Sequence, residues 1–294
     1  MSHSQRQDRL PQPLVRVGLI GAGIQKSGSP ALHQDEGAAQ GLDYRYALLD
    51  VDLVEGGAAA LPQLLDQAQA QGFAGLNITY PCKQTVIPLL DELSPDARSL
   101  QSVNTVVFAQ GRRVGHNTDW WGFAENFRRH MADVPRERVV LVGAGGAGSA
   151  VGYAALQLGT QVLRIHDQDA ARATDLAARL GALFPDRQVV AVVELRAALA
   201  DANGLIHASP TGMAKLPGLP VPADCLRPPL WVAEVVYVPL ETELLRVARA
   251  AGCRTLDGGG MAVFQAAMAF ELFCGVAPDA ERMLARFNAR LRSG

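Results

Sequence analysis

Short β-branched apolar runs alternate along this chain with longer stretches in which apolar residues recur at helical spacing. The first run, 15–20, ends at Gly21 and Gly23, the form of a buried strand entering a turn. A helix is predicted from near Pro30, a strand over 44–49, a helix over 56–71 and a strand over 75–79. Strand and helix in strict succession predict parallel pairing through crossovers. The runs 103–109 and 112–115 flank Gln110 and Gly111 and predict a hairpin or a pair of edge strands. A helix follows over 120–130.

The stretch 132–138, with Pro135 and several charges, reads as a linker. Beyond it the alternation resumes: strands over 139–142, 162–166, 189–193 and 204–208 are separated by helices over 147–158, 170–180 and 195–200. Two closing helices are predicted over 261–272 and 279–291. The fold class expected is α/β with two units, the second a doubly wound, Rossmann-type sheet, and with the closing helices returning to the first unit. The boundaries expected are 14–121 plus 262–294 for one unit and 122–261 for the other. Residues 1–13, polar and with two prolines, read as a disordered tail.

The chain's 294 residues suit two domains better than one core. Lys and Arg number 27 against 29 Asp and Glu, so no single-sign field is expected to draw nucleic acid or an anionic membrane. No apolar run approaches the roughly 18 residues of a membrane-spanning helix. Four cysteines without a CxxC pair, and a start unlike a signal peptide, predict free thiols in a reducing cytoplasm. Six scattered histidines lack metal-ligand spacing, so no metal site is predicted. The composition leaves open a monomer or a homodimer.

Directly after the strand at 139–142, Gly143-Ala144-Gly145-Gly146-Ala147-Gly148 places glycines in GxGxxG register at the start of a small-residue helix. Such glycines serve a tight turn, close approach of backbone to a pyrophosphate, and helix–strand packing. The helix amino terminus supplies N–H donors for phosphate. At the end of the next strand stands Asp167, where a carboxylate meets the adenosine ribose; its competing role is a helix cap, open equally to Asp169. NAD is therefore the expected cofactor, with NADP less favoured.

Four segments of the first unit share a chemistry of hydroxyls, carboxamides, one lysine and one aspartate: Lys26 to Pro30, Gly75 to Lys83, Ser102 to Val107, and Gly115 to Phe123. Each is expected just after a strand, where open α/β sheets bind ligands. Such a set suits a polyhydroxylated, negatively charged small molecule. With their SxSP, NxTxPxK, VNT and NTDxxGF patterns, joined by PTGM (210–213), VYxPxxTxLL (236–245) and GxxMxxxQ before the last helix, the chain from about Val15 onward resembles the shikimate/quinate dehydrogenase family. The resemblance implies a substrate domain, a Rossmann domain and a cleft between them. It implies that Ser27 and Ser29 bind a substrate carboxylate, that Asn77, Thr79, Asn104 and Gln265 hold ring hydroxyls, and that Lys83 and Asp119 form the catalytic pair. Tyr237 would lie near the substrate and Gly260 near the nicotinamide.

The chain departs from the family pattern at Tyr80, Cys82 and Gln84 around the lysine, and at Asp167, which points to the NAD-linked branch. The expected reaction is hydride transfer between NAD and the ring alcohol of shikimate, with quinate a further substrate. Two alternatives stand beside it: quinate or an amino analogue as the main substrate, and a nonenzymatic dinucleotide sensor on the same scaffold. A different two-domain enzyme, such as a folate dehydrogenase, fits the SxSP and NTD segments poorly. Singly, each site residue has a structural competitor: Ser29 as a helix cap, Asn77 and Asn104 as loop braces, Asn117 and Asp119 in Asx-turns. Trp120 and Trp121 read as packing residues.

Overall fold

The computed structural model describes residues 14–293. The tail expected to be disordered lies outside the described residues. Two six-stranded sheets organise the chain. The first contains β1 (Leu14–Gly21), β2 (Asp43–Asp50), β3 (Gly75–Ile78), β4 (Glu92–Leu93), β5 (Thr105–Ala109) and β6 (Arg112–His116), with α1 (Ser29–Ala39), α2 (Leu61–Ala70), α3 (Cys82–Thr85) and α4 (Pro95–Leu100) between strands. The order is β2-β1-β3-β5-β6-β4.

Parallel pairing holds only for part of this sheet. The first three strands are parallel, but β5 runs antiparallel to both β3 and β6. Its pairing with β6 follows from the two-residue turn at Gln110 and Gly111, both at positive φ (52° and 77°), the backbone form whose twist matches paired strands. Thr105 at the start of β5 consequently sits opposite Asn77 near the end of β3 and His116 at the end of β6. The segment around Asn104 therefore precedes its strand instead of following one, contrary to expectation. Reversal of β5 brings it to the same sheet edge as the other three.

The second sheet is all parallel. It comprises β7 (Arg138–Val142), β8 (Val162–His166), β9 (Gln188–Ala191), β10 (Gly204–His207), β11 (Trp231–Glu234) and β12 (Thr255–Leu256), in the order β12-β11-β10-β7-β8-β9. This is the doubly wound arrangement, with its topological switch between β7 and β10. The helices are α5 (Asp119–His130) before it, α6 (Gly146–Gln157), α7 (Ala170–Leu183), α8 (Leu195–Leu199) and α9 (Glu243–Ala250) within it, then α10 (Gly259–Cys274) and α11 (Ala280–Ser293). The strands β11 and β12 and the helix α9 add to the elements predicted from sequence. Among the described residues no helix is long and apolar enough to cross a membrane.

Two helices join the units. Phe123 and Phe127 of α5 pack into the core of the second sheet, Phe127 meeting Trp231 edge-on at 5.0 Å. The expected boundary at 121/122 thus falls inside α5. In α10, Met261 belongs to that same core, whereas Phe270 and Phe273 pack with Val17, Tyr44 and Tyr46 of the first sheet. The two helices touch at Gly122, where an added Cβ would lie 2.7 Å from the backbone N of Gln265 and 2.7 Å from the carbonyl O of Met261. Trp120 anchors the start of α5 against Tyr153 of α6, edge-on at 5.4 Å, as packing predicts. Gly122→Ala is expected to force α5 from α10 and lower unfolding free energy by about 1–3 kcal/mol, the usual cost of overpacking. Gly181→Ala in α7, where the nearest atom to the new methyl is 3.9 Å away, should be neutral or stabilising. Urea unfolding of both variants checks this; equal midpoints would show that the crossing tolerates a side chain.

Candidate active site

At the shared edge of the first sheet, Thr79 leads into a turn closed by the Cys82 N–H donating to the Thr79 carbonyl at 2.8 Å. This sets Lys83 in α3, with its own carbonyl accepting from the Val103 N–H. Its Nζ donates to Asp119 Oδ2 at 2.6 Å, and both side chains are largely withdrawn from solvent. Asp119 opens α5, where the helix end favours a negative charge. Asn117 Oδ1 accepts from the Asp119 N–H, so an Asx-turn does form here. It belongs to the support of the site and does not compete with it.

Asn104 orients the aspartate. Its Nδ2 donates to Asp119 Oδ1 and to Thr118 Oγ1, both at 2.9 Å. Its Oδ1 accepts from the Thr118 N–H at 2.7 Å and the Thr105 hydroxyl at 3.1 Å. A carboxamide offers two donor hydrogens and two lone pairs, and all four positions are engaged. In this arrangement Asn104 holds Asp119 and has no free hydrogen-bonding position for a ligand.

The loop after β1 is braced from β2. Asp50, 4% exposed, accepts from the N–H groups of Gly23 and Ile24 and from Gln25 Nε2. Desolvation works to raise its pKa, but hydrogen bonds from Gln25 and from the Asp52, Gly23 and Ile24 N–H groups hold the carboxyl below its ordinary range. Ser27 Oγ accepts from the Ser29 N–H at 3.2 Å. Tyr46 bridges two predicted site residues: its hydroxyl donates to Asn77 Oδ1 at 2.9 Å and interacts with Ser29. Burial keeps that phenol far above its usual pKa range, against a smaller opposing effect of Ser29. Neither Asp50 nor Tyr46 was singled out from sequence; a buried aspartate ending a strand was the available signal.

Two cavities meet at this edge. One, of about 520 Å³, is lined by Ser27, Ser29, Asn77, Asn104, Asp119, Tyr237 and Gln265, with Lys26 and Met213 also on its wall. The other, of about 770 Å³, runs over the glycine loop and Asp167 to Ser209 and Pro210. Thr79, Lys83 and Ala147 line both. Tyr237 keeps 41% exposure at the cleft. Desolvation, and secondarily the Asp119 carboxylate, raise its phenol above the ordinary range. Gly260 lies behind the wall, its α-carbon facing Asn126 of α5, and Gly258 lines the first cavity in its place.

The second cavity fits a dinucleotide. Gly143 has φ +108° and packs against the backbone of Ala208 and Ser209, so a side chain there is excluded. Gly145 and Gly146 have nothing within 4 Å of an added Cβ, leaving open space for a phosphate to approach the backbone. Gly148, outside the lining, sits so close to the Gly143 carbonyl that a Cβ would overlap it at 1.9 Å. No side chain caps α6, whose first N–H groups are free for an anion. Asp167 Oδ2 accepts from the Ala144 N–H at 2.7 Å, and Oδ1 from the Asp169 N–H at 2.9 Å. Asp169, not Asp167, caps α7. Opposite, buried His207 contacts Glu234 at 2.8 Å and Ser209 at 2.6 Å, fixing the loop after β10.

A doubly wound dinucleotide sheet facing a second sheet across a polar cleft, with a lysine–aspartate pair where the two cavities meet, defines a nicotinamide-dinucleotide oxidoreductase scaffold. Residues 19–106 match the model of the shikimate dehydrogenase substrate binding domain. A shikimate dehydrogenase (NADP(+)) of Streptomyces avermitilis is 56% identical over 94% of this chain and 96% of its own length. A quinate/shikimate dehydrogenase (NAD(+)) of Corynebacterium efficiens is 46% identical over 93% of this chain and 97% of its own. A solved quinate dehydrogenase from Corynebacterium glutamicum in complex with NAD superposes with a TM-score of 0.91 at 43% identity, covering 95% of this chain and all of that one. The chain belongs to the shikimate/quinate dehydrogenase family.

Tyr46→Phe removes one hydroxyl without changing the packing volume appreciably, leaving buried Asn77 Oδ1 without its donor. Unfolding free energy is expected to fall by about 1–2 kcal/mol. An unchanged urea midpoint would show that Asn77 needs no such brace.

Proposed function

We infer that the protein catalyses reversible hydride transfer between shikimate and NAD, giving 3-dehydroshikimate, with quinate as a second substrate. The observation that carries this reading is the Lys83–Asp119 pair, 2.6 Å apart in the smaller cavity, with Lys83 on the wall common to the two cavities. A ring alcohol in the smaller cavity would there meet both a proton-transfer group and the nicotinamide end of the larger one. The bound dinucleotide supplies the hydride acceptor, or the donor in the reverse direction.

Oxidation removes a proton from the hydroxyl as hydride leaves the ring carbon. Lys83 and Asp119 take that proton as a coupled pair and return it to the ketone oxygen in reduction. Asp119 holds the lysine side chain in place, and Asn104 holds Asp119. Ser27 and Ser29 would bind the carboxylate, Asn77, Thr79 and Gln265 the ring hydroxyls, and Tyr237 would close over the substrate from the second unit. On this reading the substrate unit is 14–121 with 262–294, and the dinucleotide unit is 122–261. The family resemblance implies that Thr in place of Ser29 goes with quinate use and Ser with shikimate, which favours shikimate here; the quinate dehydrogenase neighbour supports quinate as the second substrate.

NAD preference rests on Asp167. Its carboxylate lines the cavity beside the glycine loop, where the extra phosphate of NADP would meet a like charge. Position 168 is Gln; Arg172 and Arg179 of the following helix also line this cavity, and Arg172 Nε lies 3.4 Å from Asp169 Oδ2. The relative of Streptomyces avermitilis is named for NADP(+) and that of Corynebacterium efficiens for NAD(+), so the two cofactors divide among relatives of this chain.

Initial rates with shikimate and quinate, each with NAD and NADP, test the function; absence of turnover with both acids would overturn it. Lys83→Ala is expected to lower kcat by about two to four orders of magnitude, the usual worth of acid–base catalysis. Asp119→Ala should lose a similar amount, and the double variant less than the product of both losses. Additive losses in that cycle would separate the two roles. For the cofactor, wild type is expected to favour NAD by about a hundredfold, the effect of several kcal/mol of like-charge repulsion. Asp167→Ser should narrow that ratio sharply; a ratio that does not move would assign Asp167 to the glycine loop alone.

A further inference from the structure

The wall of the smaller cavity carries three formal charges: Lys26, Lys83 and Asp119. Lys83 and Asp119 neutralise one another through their 2.6 Å ion pair. Lys26 makes no ion pair or side-chain hydrogen bond among the described residues, so the cavity has a net charge of one cation. Lys26 stands beside Ser27, outside the SxSP pattern itself, at the last position of the short turn Ile24–Lys26. That turn is held at both ends. Asp50 accepts from the N–H groups of Gly23 and Ile24, and the Ser27 N–H donates to the Ile24 carbonyl at 2.9 Å. The backbone below the lysine is therefore fixed, whereas its side chain, exposed and without an ion pair or hydrogen bond among the described residues, belongs to a residue that lines the cleft.

We propose that Lys26 is a specificity-determining residue, the counter-ion that selects a carboxylate-bearing ring substrate over its neutral analogue. The proposal rests on the shikimate reading above and deepens it. Two serine hydroxyls can hydrogen-bond a carboxylate, but they serve an ester or amide carbonyl nearly as well. A cation discriminates: a charge-assisted hydrogen bond is roughly twice as strong as a neutral one. The chemistry takes place at a ring carbon, and the ammonium needed there is that of Lys83. Lys26 acts on binding of the acid, and its effect belongs in KM.

The test compares shikimate with methyl shikimate for wild type, Lys26→Met and Lys26→Arg, with NAD saturating. In Lys26→Met, KM for the acid is expected to rise about tenfold, the worth of one such contact in a partly wet cleft. The change in kcat should stay within about twofold, and KM for the ester should move by less than about twofold. Lys26→Arg should restore most of the preference for the acid. Raising salt from about 20 to 300 mM should narrow the acid-over-ester preference in wild type more than in Lys26→Met, because a partly exposed ion pair is screened. An unchanged KM for the acid in Lys26→Met, or an equal rise for acid and ester, would overturn the proposal. A wild type inactive on both shikimate and quinate would instead sink the functional reading on which it stands.

Discussion

Everything in the cleft depends on one crossing of two helices. Gly122 lets α5 approach α10 until backbone meets backbone, an added Cβ being only 2.7 Å from the Met261 carbonyl oxygen. Each helix belongs to both units. Asp119 begins α5 at the edge of the first sheet, while Phe127 of the same helix is buried under Trp231 of the second. Met261 and Phe270 in α10 likewise lie in different cores. The placement of Asp119 relative to Gln265, both on the wall of the smaller cavity, is thus set by packed interior atoms and not by loops, which protein interiors, close-packed as they are, hold to small tolerances.

Around that crossing the polar groups form graded layers of support. Asn104 satisfies its whole hydrogen-bonding capacity in holding Asp119 and its neighbours. Tyr46 does for Asn77 what Asp50 does for the turn at Gly23 and Ile24. In the second unit, His207 and Glu234 perform the corresponding task, with Glu234 also accepting from the Val235 and Val236 N–H groups and the Thr242 hydroxyl. Buried polar networks of this kind are stable when every member is satisfied. Their effect is to present a few side chains to the cleft in one orientation.

Much of this was legible in the sequence because its signals are local. The strand, glycine loop and helix at 138–157 declare themselves by composition and order, and the hairpin by its Gln-Gly turn. The polarity of β5 was not legible, since apolar alternation carries no strand direction; that is why the Asn104 segment was expected to follow a strand. Trp231–Glu234 lies in an apolar run that continues past the strand, so nothing marks where it ends, and Glu234 interrupts it for the sake of a partner 27 residues away. Asp50 and Tyr46 escaped notice for a similar reason, as their partners come from other strands or loops. By contrast, α9 does carry its signal, with Thr242 capping ahead of buried Leu244, Leu245 and Ala248.

The common wall of the two cavities has a thermodynamic consequence. Thr79, Lys83 and Ala147 border both spaces, so an occupant of either one rewrites part of the surface that the other will meet. Any effect that one occupant has on the binding of the other must be reciprocal by linkage: whatever factor a dinucleotide contributes to affinity for a ring acid, the ring acid returns to the dinucleotide. The three shared residues are the surface through which such an effect would pass, each of them presented to both occupants at once.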